Sequence, residues 1–360
     1  MGRLSTACLA LGLVALPTIQ AGALEREGSS QWARWIEAAG IDPAAAIDPF
    51  STSPEMVIWV DHVLSSHQAD DDLGQLIALQ TALFDDSFGF RYEADLTLTA
   101  EEAFAQRRGN CMSFTVLFVA LARTAQIETY LMSVLREPEV NLEGDLVVVN
   151  RHVVAALMNQ VGKVAIFDFY LRDEGPRIQR RIIDDVTATA MYHTNLGGDA
   201  IRDGRLDDAS EHLRIATVLA PDWAPGWVNL GVVRNRLGDP DGAFEAYRKA
   251  LEADPHDSSA LTNIAAVYRD QGMAREADTA LRAAAHQTTN PFTLIALADV
   301  ETLSGRYRAA RKWLNKAKRW YPKEPEVYRA LSRLASERGD PGDAQRYKER
   351  AEKLERRAEE

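Results

Sequence analysis

The sequence predicts an α+β domain followed by an all-α solenoid of repeated helix pairs. In the first half, segments with helical periodicity come before β-like apolar runs, and this order favours helices packed against an antiparallel sheet. In the second half, one short pattern recurs at an almost constant interval, as it does in repeat proteins. We therefore divide the chain into an N-terminal segment of residues 1–23, an α+β domain of residues 24–189 and repeats over residues 190–355.

The N-terminal segment has the order of a secretory signal peptide. One positive charge, Arg3, comes before the apolar run "CLALGLVAL", and the small residues "AGA" follow before the charged "LEREG". The apolar run is too short to cross a bilayer as a helix. We expect an exported protein, in a bacterial periplasm or secreted, with cleavage after Ala23. Cleavage would remove Cys8 and leave Cys111 as the single cysteine, which excludes a disulfide within the mature chain.

Composition and charge exclude several classes of protein. The chain has 360 residues, of which 46% are hydrophobic, so it can bury a core in each of two domains. Its 41 basic residues against 53 acidic residues give a net charge of −12, which argues against a nucleic-acid partner. No apolar stretch after the signal approaches the length of a stable membrane span.

The first half predicts helices followed by strands. Helical periodicity covers residues 32–46 and 54–84, and "TAEE" at Thr99–Glu102 has the pattern of a capping box. The run that begins at Cys111 carries no charge before Arg123, so this helix is expected to be surrounded by other elements. Three β-like runs follow, which begin at Thr129, Leu146 and Lys163.

The second half repeats five times. Each unit has a glycine followed five positions later by an alanine, and each reads as two amphipathic helices joined at the glycine. The glycines are spaced by 34, 34, 33 and 34 residues, and the pairs are Gly204 and Ala209, Gly238 and Ala243, Gly272 and Ala277, Gly305 and Ala310, and Gly339 and Ala344. Because one helix pair cannot bury both of its faces, neighbouring units should stack into a solenoid.

These repeats resemble the tetratricopeptide repeat family, with "WVNLG" at Trp227–Gly231 as the best match to the first-helix pattern of that family. The resemblance implies a groove that binds a protein or peptide partner. Asn195, Asn229 and Asn263 recur at 34-residue spacing on the first helices, and their amides are candidates to bind a partner's backbone. The alternative is that these amides satisfy groups within the protein itself.

Cys111 is a candidate nucleophile. A thiolate at a helix N-terminus is stabilised by the helix dipole, and the unpaired backbone N–H groups there can stabilise an oxyanion. A nucleophilic thiol also needs a base and a group that orients the base. If "NQVG" joins two strands with Met158 opposite Gly162, then His152 lies opposite Asp168 on one face of a hairpin. The alternatives for the thiol are an intermolecular link or a small buried hydrophobic residue.

The first half resembles the transglutaminase-like superfamily over residues 85–185. The motifs that carry the resemblance are "RRGNCMSFTVLFVALAR", "NRHV" and "IFDFY", which place a cysteine, a histidine and an aspartate in the family's order. The resemblance implies a papain-like α+β fold in which Cys111 forms a thioester, His152 is base and then acid, and Asp168 fixes the imidazole. Members of the superfamily include cross-linking enzymes, peptidases and amidases, and also domains without demonstrated activity.

These features predict an exported thiol enzyme that acts on a peptide or protein amide, with repeats that recruit the substrate protein. Hydrolysis is favoured over transfer to an amine, because the sequence gives no sign of the closed tunnel that would exclude water. The alternative is a catalytically silent domain in a repeat-based interaction scaffold. His62 and His67 are five residues apart, a poor spacing for one helix face, so we expect no metal and no cofactor.

Overall fold

The computed structural model describes residues 14–15, 29–42, 46–67, 69–135, 139–143, 146–150, 152–158, 163–168, 179–287 and 290–359. The chain forms two compact units. The first unit comprises Met1–Pro138, Arg151–Asp203 and Arg214–Ala220, and the second comprises Glu139–Asn150, Gly204–Leu213 and Pro221–Glu360.

The helices of the first unit begin at polar caps. Ser53, Asp71, Thr99 and Asn110 each accept a hydrogen bond from a backbone N–H of the first turn, which satisfies a group that has no partner inside the helix. The cap at Asp71 divides the periodic stretch of residues 54–84 into two helices. The described helices are α1 (Ser29–Ala38), α2 (Pro54–Ser66), α3 (Asp72–Phe84), α4 (Ala100–Gln106), α5 (Cys111–Thr124) and α6 (Asp185–Arg202).

Helix α5 is the centre of the first unit. Every residue from Met112 to Ala122 is buried, as the charge-free run predicted. The capping box predicted at the start of α4 is also present, with Thr99 and Glu102 capping each other. Both predictions depended on local sequence alone, and both are confirmed.

The strands of the described chain are β1 (Val14–Ala15), β2 (Arg91–Tyr92), β3 (Arg108–Gly109), β4 (Tyr130–Leu135), β5 (Glu139–Glu143), β6 (Leu146–Asn150), β7 (Val153–Met158), β8 (Lys163–Phe167) and β9 (Gln179–Ile183). Five of them form one antiparallel sheet in the order β1-β8-β7-β4-β9. The strands β2 and β3 form a short parallel pair just before α5.

The predicted register between β7 and β8 is wrong by two residues. Met158 pairs with Val164, not with Gly162, which lies outside the described residues. Because side chains alternate along a strand, an even shift leaves each residue on its predicted face. His152 comes one residue before β7 and Asp168 one residue after β8, so neither belongs to a regular strand.

The two faces of the sheet pack differently. On one face, an apolar cluster is formed by Met132, Val134, Val154, Ala156 and Val164. On the other side, α5 meets the sheet: the rings of Phe118 and Phe167 stack with centroids 4.8 Å apart, and Thr115 Oγ1 donates a hydrogen bond of 3.0 Å to the carbonyl of Val153. These contacts fix the start of β7 against α5.

The short edge strand β1 falls within the segment predicted to be cleaved. Val14 pairs with Val164, and Ala15 pairs with Lys163. Cleavage after Ala23 would remove this strand and leave β8 at the edge of the sheet. The other residues of the predicted signal lie outside the described part of the chain.

The remaining helices follow the repeat pattern. They are α7 (Leu206–Leu219), α8 (Ala224–Arg236), α9 (Pro240–Ala253), α10 (Ser258–Asp270), α11 (Ala274–Gln287), α12 (Pro291–Leu303), α13 (Tyr307–Trp320), α14 (Pro325–Glu337) and α15 (Pro341–Glu359). The five repeat glycines all have left-handed backbones, with φ from 72° to 79°. Four of the five repeat alanines are buried, as expected where two helices approach closely, and Ala344 is partly exposed.

The strands β5 and β6 form a hairpin that belongs to the second unit. Glu139 pairs with Asn150 and Glu143 with Leu146. Strand β6 lies against α8 and α10, which are the first helices of two successive repeats. This hairpin is inserted in the chain between β4 and β7 of the first unit.

Candidate functional site

The start of α5 is held by its cap residue, Asn110. The Asn110 side chain accepts a hydrogen bond of 3.0 Å from the Ser113 N–H and donates one of 2.8 Å to Thr97 Oγ1. Its backbone N–H donates a bond of 2.9 Å to the carbonyl of Leu96. Asparagine is among the most favoured cap residues, so the sequence did contain a signal for this role. These bonds fix the position of the residue that follows, Cys111.

Gly109 is required by close packing against Ser113. A β-carbon at position 109 would lie 2.4 Å from Cβ of Ser113, and the backbone has φ of 152°. Ser113 cannot easily move, because its Oγ accepts a hydrogen bond of 2.8 Å from the Leu98 N–H and donates one of 3.2 Å to the Leu96 carbonyl. The glycine two residues before the cysteine therefore has a steric cause: it lets the strand before α5 approach the first turn of the helix.

Cys111 is the first residue of α5, and its side chain is partly exposed. The backbone N–H groups of the first helical residues have no acceptor inside a helix. The backbone N–H groups of Cys111 and Met112 are therefore free of helical acceptors, and they lie at the same helix end as the thiol. A partly exposed thiol next to such donors can attack a carbonyl carbon while the N–H groups bind the oxygen that becomes negatively charged.

His152 and Asp168 form a close pair. Nε2 of His152 lies 2.7 Å from Oδ2 of Asp168, with side-chain exposures of 20% and 12%. The histidine backbone is fixed as well, because its carbonyl accepts a hydrogen bond of 3.0 Å from the Val134 N–H of β4. Since Nε2 is occupied by the aspartate, Nδ1 is the ring nitrogen left for another group.

The electrostatics of His152 bring Cys111 into the same site. Burial of the ring acts to lower the pKa of His152, but its hydrogen bond to Asp168 and its interactions with Asp168 and Cys111 outweigh burial and raise the pKa to about 10. The imidazole is therefore protonated at neutral pH. The ring thus interacts with both Asp168 and Cys111, two groups that carry negative charge when ionised.

Gln80 of α3 is a site residue that sequence reasoning missed. Its Nε2 donates a hydrogen bond of 3.2 Å to the backbone carbonyl of Asp168, and both residues are buried. The other carboxylate oxygen of Asp168, Oδ1, is buried without a hydrogen-bond partner among the described residues. Gln80 thus holds the backbone of the aspartate, while the carboxylate is held by His152.

The described residues contain no cluster of three histidine, cysteine or acidic side chains that could bind a metal ion. His67 instead donates a hydrogen bond of 2.8 Å from Nδ1 to the carbonyl of Val63 at the end of α2. In the same part of the chain, no helix is both long enough and apolar enough to cross a bilayer.

The three repeat asparagines are buried. Asn229 of α8 and Asn263 of α10 are fully enclosed and already make contacts in the structure, and Asn195 of α6 is nearly enclosed. A partner would reach these amides only if their surroundings changed. Their role in partner binding stays a prediction.

Comparison with known families identifies the repeats in part of the second half. Two family models, both described as tetratricopeptide repeat, match residues 194–258 and 236–291. These residues form tetratricopeptide repeats. Such repeats are modules of protein interaction. Neither match includes residues 85–185, and the resemblance of that segment to the transglutaminase-like superfamily stays a prediction.

Two curated relatives share short segments with this chain. The heat-shock protein cognate co-chaperone sgt12 of Aspergillus fumigatus is 33% identical over 72 residues, which is 20% of this chain and 21% of that protein. The heat shock protein sti1 homolog of Schizosaccharomyces pombe is 36% identical over 67 residues, or 19% of this chain and 11% of that protein. The chain therefore matches less than a quarter of the length of either relative.

Among solved structures, that of Pseudomonas aeruginosa pilF has 23% identity and a TM-score of 0.42, covering 48% of this chain and 78% of its own. A crystal structure of MamA has 18% identity and a TM-score of 0.35, covering 48% of this chain and 94% of its own.

Proposed function

We propose that this protein is an exported thiol enzyme that transfers the acyl group of a peptide or protein amide through Cys111, His152 and Asp168. The observation that carries the proposal is the hydrogen-bonded pair of His152 and Asp168 beside a partly exposed cysteine at a helix N-terminus. The tetratricopeptide repeats supply a surface that recruits the protein to be modified.

The first step forms a thioester. The Cys111 thiolate attacks the amide carbonyl carbon, and the backbone N–H groups of Cys111 and Met112 bind the oxygen as it becomes negative. The C–N bond then breaks, and the His152 imidazolium gives its proton to the leaving amine. Asp168 keeps the ring oriented and compensates its positive charge before that transfer.

The second step releases the acyl group. His152, now neutral, takes a proton from an incoming nucleophile as that nucleophile attacks the thioester, and the thiolate leaves. Attack by water gives a carboxylate, which makes the protein a peptidase or amidase. Attack by an amine gives a new amide, which makes it a cross-linking enzyme. We favour hydrolysis, because Cys111 is partly open to solvent.

A catalytically silent domain in a protein-interaction scaffold is the second candidate. It is favoured by the family matches, which fall on the repeats and not on the cysteine-containing segment. In that case the pair of His152 and Asp168 serves only the packing at the start of β7 and the end of β8. The two candidates differ in whether Cys111 becomes acylated.

Intact-mass spectrometry separates the candidates. The mature chain is incubated with p-nitrophenyl acetate, a small ester that acylates activated thiols. We expect a transient acetyl adduct on the wild type, none on Cys111→Ala, and a much slower adduct on His152→Ala. An excess of a primary amine then tests the second step: faster loss of the adduct together with an acetylated amine indicates transfer, and loss at an unchanged rate indicates hydrolysis. No adduct on the folded wild type supports the scaffold.

A further inference from the structure

The sequence around helix α13 has a concentration of positive charge that is found nowhere else in the chain. Between Ser304 and Lys323 there are eight basic residues and no acidic residue. The chain as a whole carries −12, so the rest of it carries −20. A segment of the opposite sign in so acidic a protein is a candidate for contact with an anionic partner.

The charges lie on one side of the helix. Arg308, Arg311, Lys312 and Arg319 are all exposed, and their spacings of three, four and seven residues place them along one face. The opposite face consists of buried small and apolar residues that pack in the repeat core: Ala310, Leu314 and Ala317. The cationic side chains of this α13 face are therefore fixed outward by the packing of the helix.

The arginines of the α13 face have no acidic partner among the described residues. Arg308, Arg311 and Arg319 form no ion pair with any described carboxylate, whereas some exposed arginines of other helices in the repeats do form them. Arg248 of α9 pairs with Glu245 and Glu252, and Arg333 of α14 pairs with Asp299 and Glu326. The α13 face differs from these other faces because it lacks acidic residues to neutralise it.

Two tryptophans flank the α13 face. Trp320, at the end of the helix, is 57% exposed, an unusual position for so large an apolar side chain. Trp313 lies close to two lysines of the same helix. The Nζ atoms of Lys312 and Lys316 are each 5.9 Å from the centre of its ring. Indole rings beside basic residues are characteristic of the polar boundary of a lipid bilayer.

We propose that the α13 face binds the anionic headgroups of a phospholipid surface. The α13 face is a row of positive charges without carboxylates between them, and it suits a surface that presents many equivalent phosphates. A protein partner is usually oriented by a pattern of both positive and negative charges, which this face lacks. The apolar side of α13 is already buried, so the helix lies at the surface and does not insert. Binding is electrostatic and falls as salt increases.

Sedimentation of the full chain with vesicles tests this binding. We expect the protein to sediment with vesicles containing phosphatidylglycerol at low salt, and to remain in solution with phosphatidylcholine vesicles or at high salt. The triple variant Arg311→Gln, Lys312→Gln, Arg319→Gln should bind on the order of a hundredfold more weakly, since each cation near an anionic surface contributes roughly a factor of five. The matched control changes three exposed basic residues of α15, where acidic residues are interleaved: Lys348→Gln, Lys353→Gln and Arg356→Gln.

Folding controls and tryptophan fluorescence support the sedimentation experiment. Melting curves establish that both triple variants are folded, and the single variant Arg319→Gln replaces the triple variant if that one is not. Fluorescence of Trp320 should shift to shorter wavelength on vesicle addition, and Trp320→Phe should remove the shift. The proposal would be overturned if the wild type and the α13 variant bound equally, or if the α15 control lost as much binding as the α13 variant. Binding to polyglutamate without binding to vesicles would also overturn it, in favour of an acidic protein partner.

Discussion

Nε2 of His152 lies 2.7 Å from Oδ2 of Asp168, although each residue stands just outside the strand next to it. Inside a strand, successive side chains must point to opposite faces of the sheet. A residue beyond the end of a strand does not have this restriction, so its side chain can turn toward a neighbouring helix. This freedom allows the pair to meet Cys111 while the residues inside β7 and β8 pack regularly on the two faces of the sheet.

The first prediction concerns the reactivity of Cys111. Because the thiol is partly exposed, begins a helix and faces a protonated imidazole, we expect it to react with iodoacetamide faster than a model thiol at pH 6. His152→Ala should remove most of this advantage. Asp168→Asn should reduce labelling less than it reduces acyl transfer, because a misoriented imidazole still attracts a thiolate but passes its proton poorly.

The controls for labelling are folding and the identity of the modified residue. Circular dichroism should show that the His152 and Asp168 variants keep the fold, and peptide mapping should place the label on Cys111. Labelling that is slower than for the model thiol, or equal in wild type and His152→Ala, would make Cys111 a packing residue and end the enzyme proposal.

The second prediction concerns stability and pH. The pKa of His152 is raised from 6.5 to about 10, because the hydrogen bond to Asp168 and the nearby Cys111 outweigh burial. The protonated ring therefore stabilises the fold fully below pH 6.5, and this contribution is lost as the pH rises to about 10. Each pKa unit corresponds to about 1.4 kcal/mol, so the loss amounts to a few kcal/mol.

Chemical denaturation of wild type and His152→Gln at several pH values measures this contribution. The stability advantage of the wild type should be larger at pH 6 than at pH 10. His256→Gln, which replaces an exposed histidine, serves as the control. A constant difference across the range would mean that the interactions with Asp168 and Cys111 do not favour the charged ring.

The third prediction concerns the glycine before the cysteine. In Gly109→Ala the new β-carbon would meet Cβ of Ser113 at 2.4 Å, so the first turn of α5 has to move. We expect a loss of about 1–3 kcal/mol in the free energy of unfolding, as for other overpacked sites. The labelling rate of Cys111 should also fall toward that of a model thiol.

Gly89→Ala is the comparison for this change, because Gly89 also has a positive φ but a β-carbon there would have no atom closer than 3.9 Å. This variant should lose stability through backbone strain and leave Cys111 labelling unchanged. If the two variants label alike, the contact between Gly109 and Ser113 does not position the thiol.

The fourth prediction concerns the repeats. Ala243 is fully buried where α8 and α9 approach, so Ala243→Trp should overpack this joint and cost about 3 kcal/mol or more. Ala283→Trp, at an exposed position on α11, should have little effect on the melting temperature. Similar melting temperatures for wild type and Ala243→Trp would contradict tight packing at this joint.

Local features could be predicted from the sequence because their causes are local. The capping box of Thr99 and Glu102 depends on two side chains three residues apart. The five left-handed glycines could be predicted because each ends a helix at a fixed place in a repeat, and a chain interval repeated four times leaves little freedom in the alignment.

Features that depend on distant contacts were predicted less well. The pairing of Met158 was wrong by two residues, because a short turn motif does not by itself determine which residues of the two strands pair. Gln80 gave no signal at all: it meets the carbonyl of Asp168 across 88 residues of chain, and a lone glutamine in an amphipathic helix resembles any polar residue. The contact depends on how the fold places α3 relative to the residue that follows β8.

The hairpin of β5 and β6 means that a single cut cannot separate this protein into its two units. The chain leaves the sheet after β4, contributes Glu139–Asn150 to the second unit, and then continues into β7. A fragment that begins at residue 190 would present α8 and α10 without the strand that lies on them, and the complementary fragment would carry that strand without its support. To separate the units, the hairpin has to be replaced by a short turn in the N-terminal fragment and added to the repeat fragment. Aggregation of a repeat fragment that lacks the hairpin would therefore say nothing about the stability of the repeats themselves.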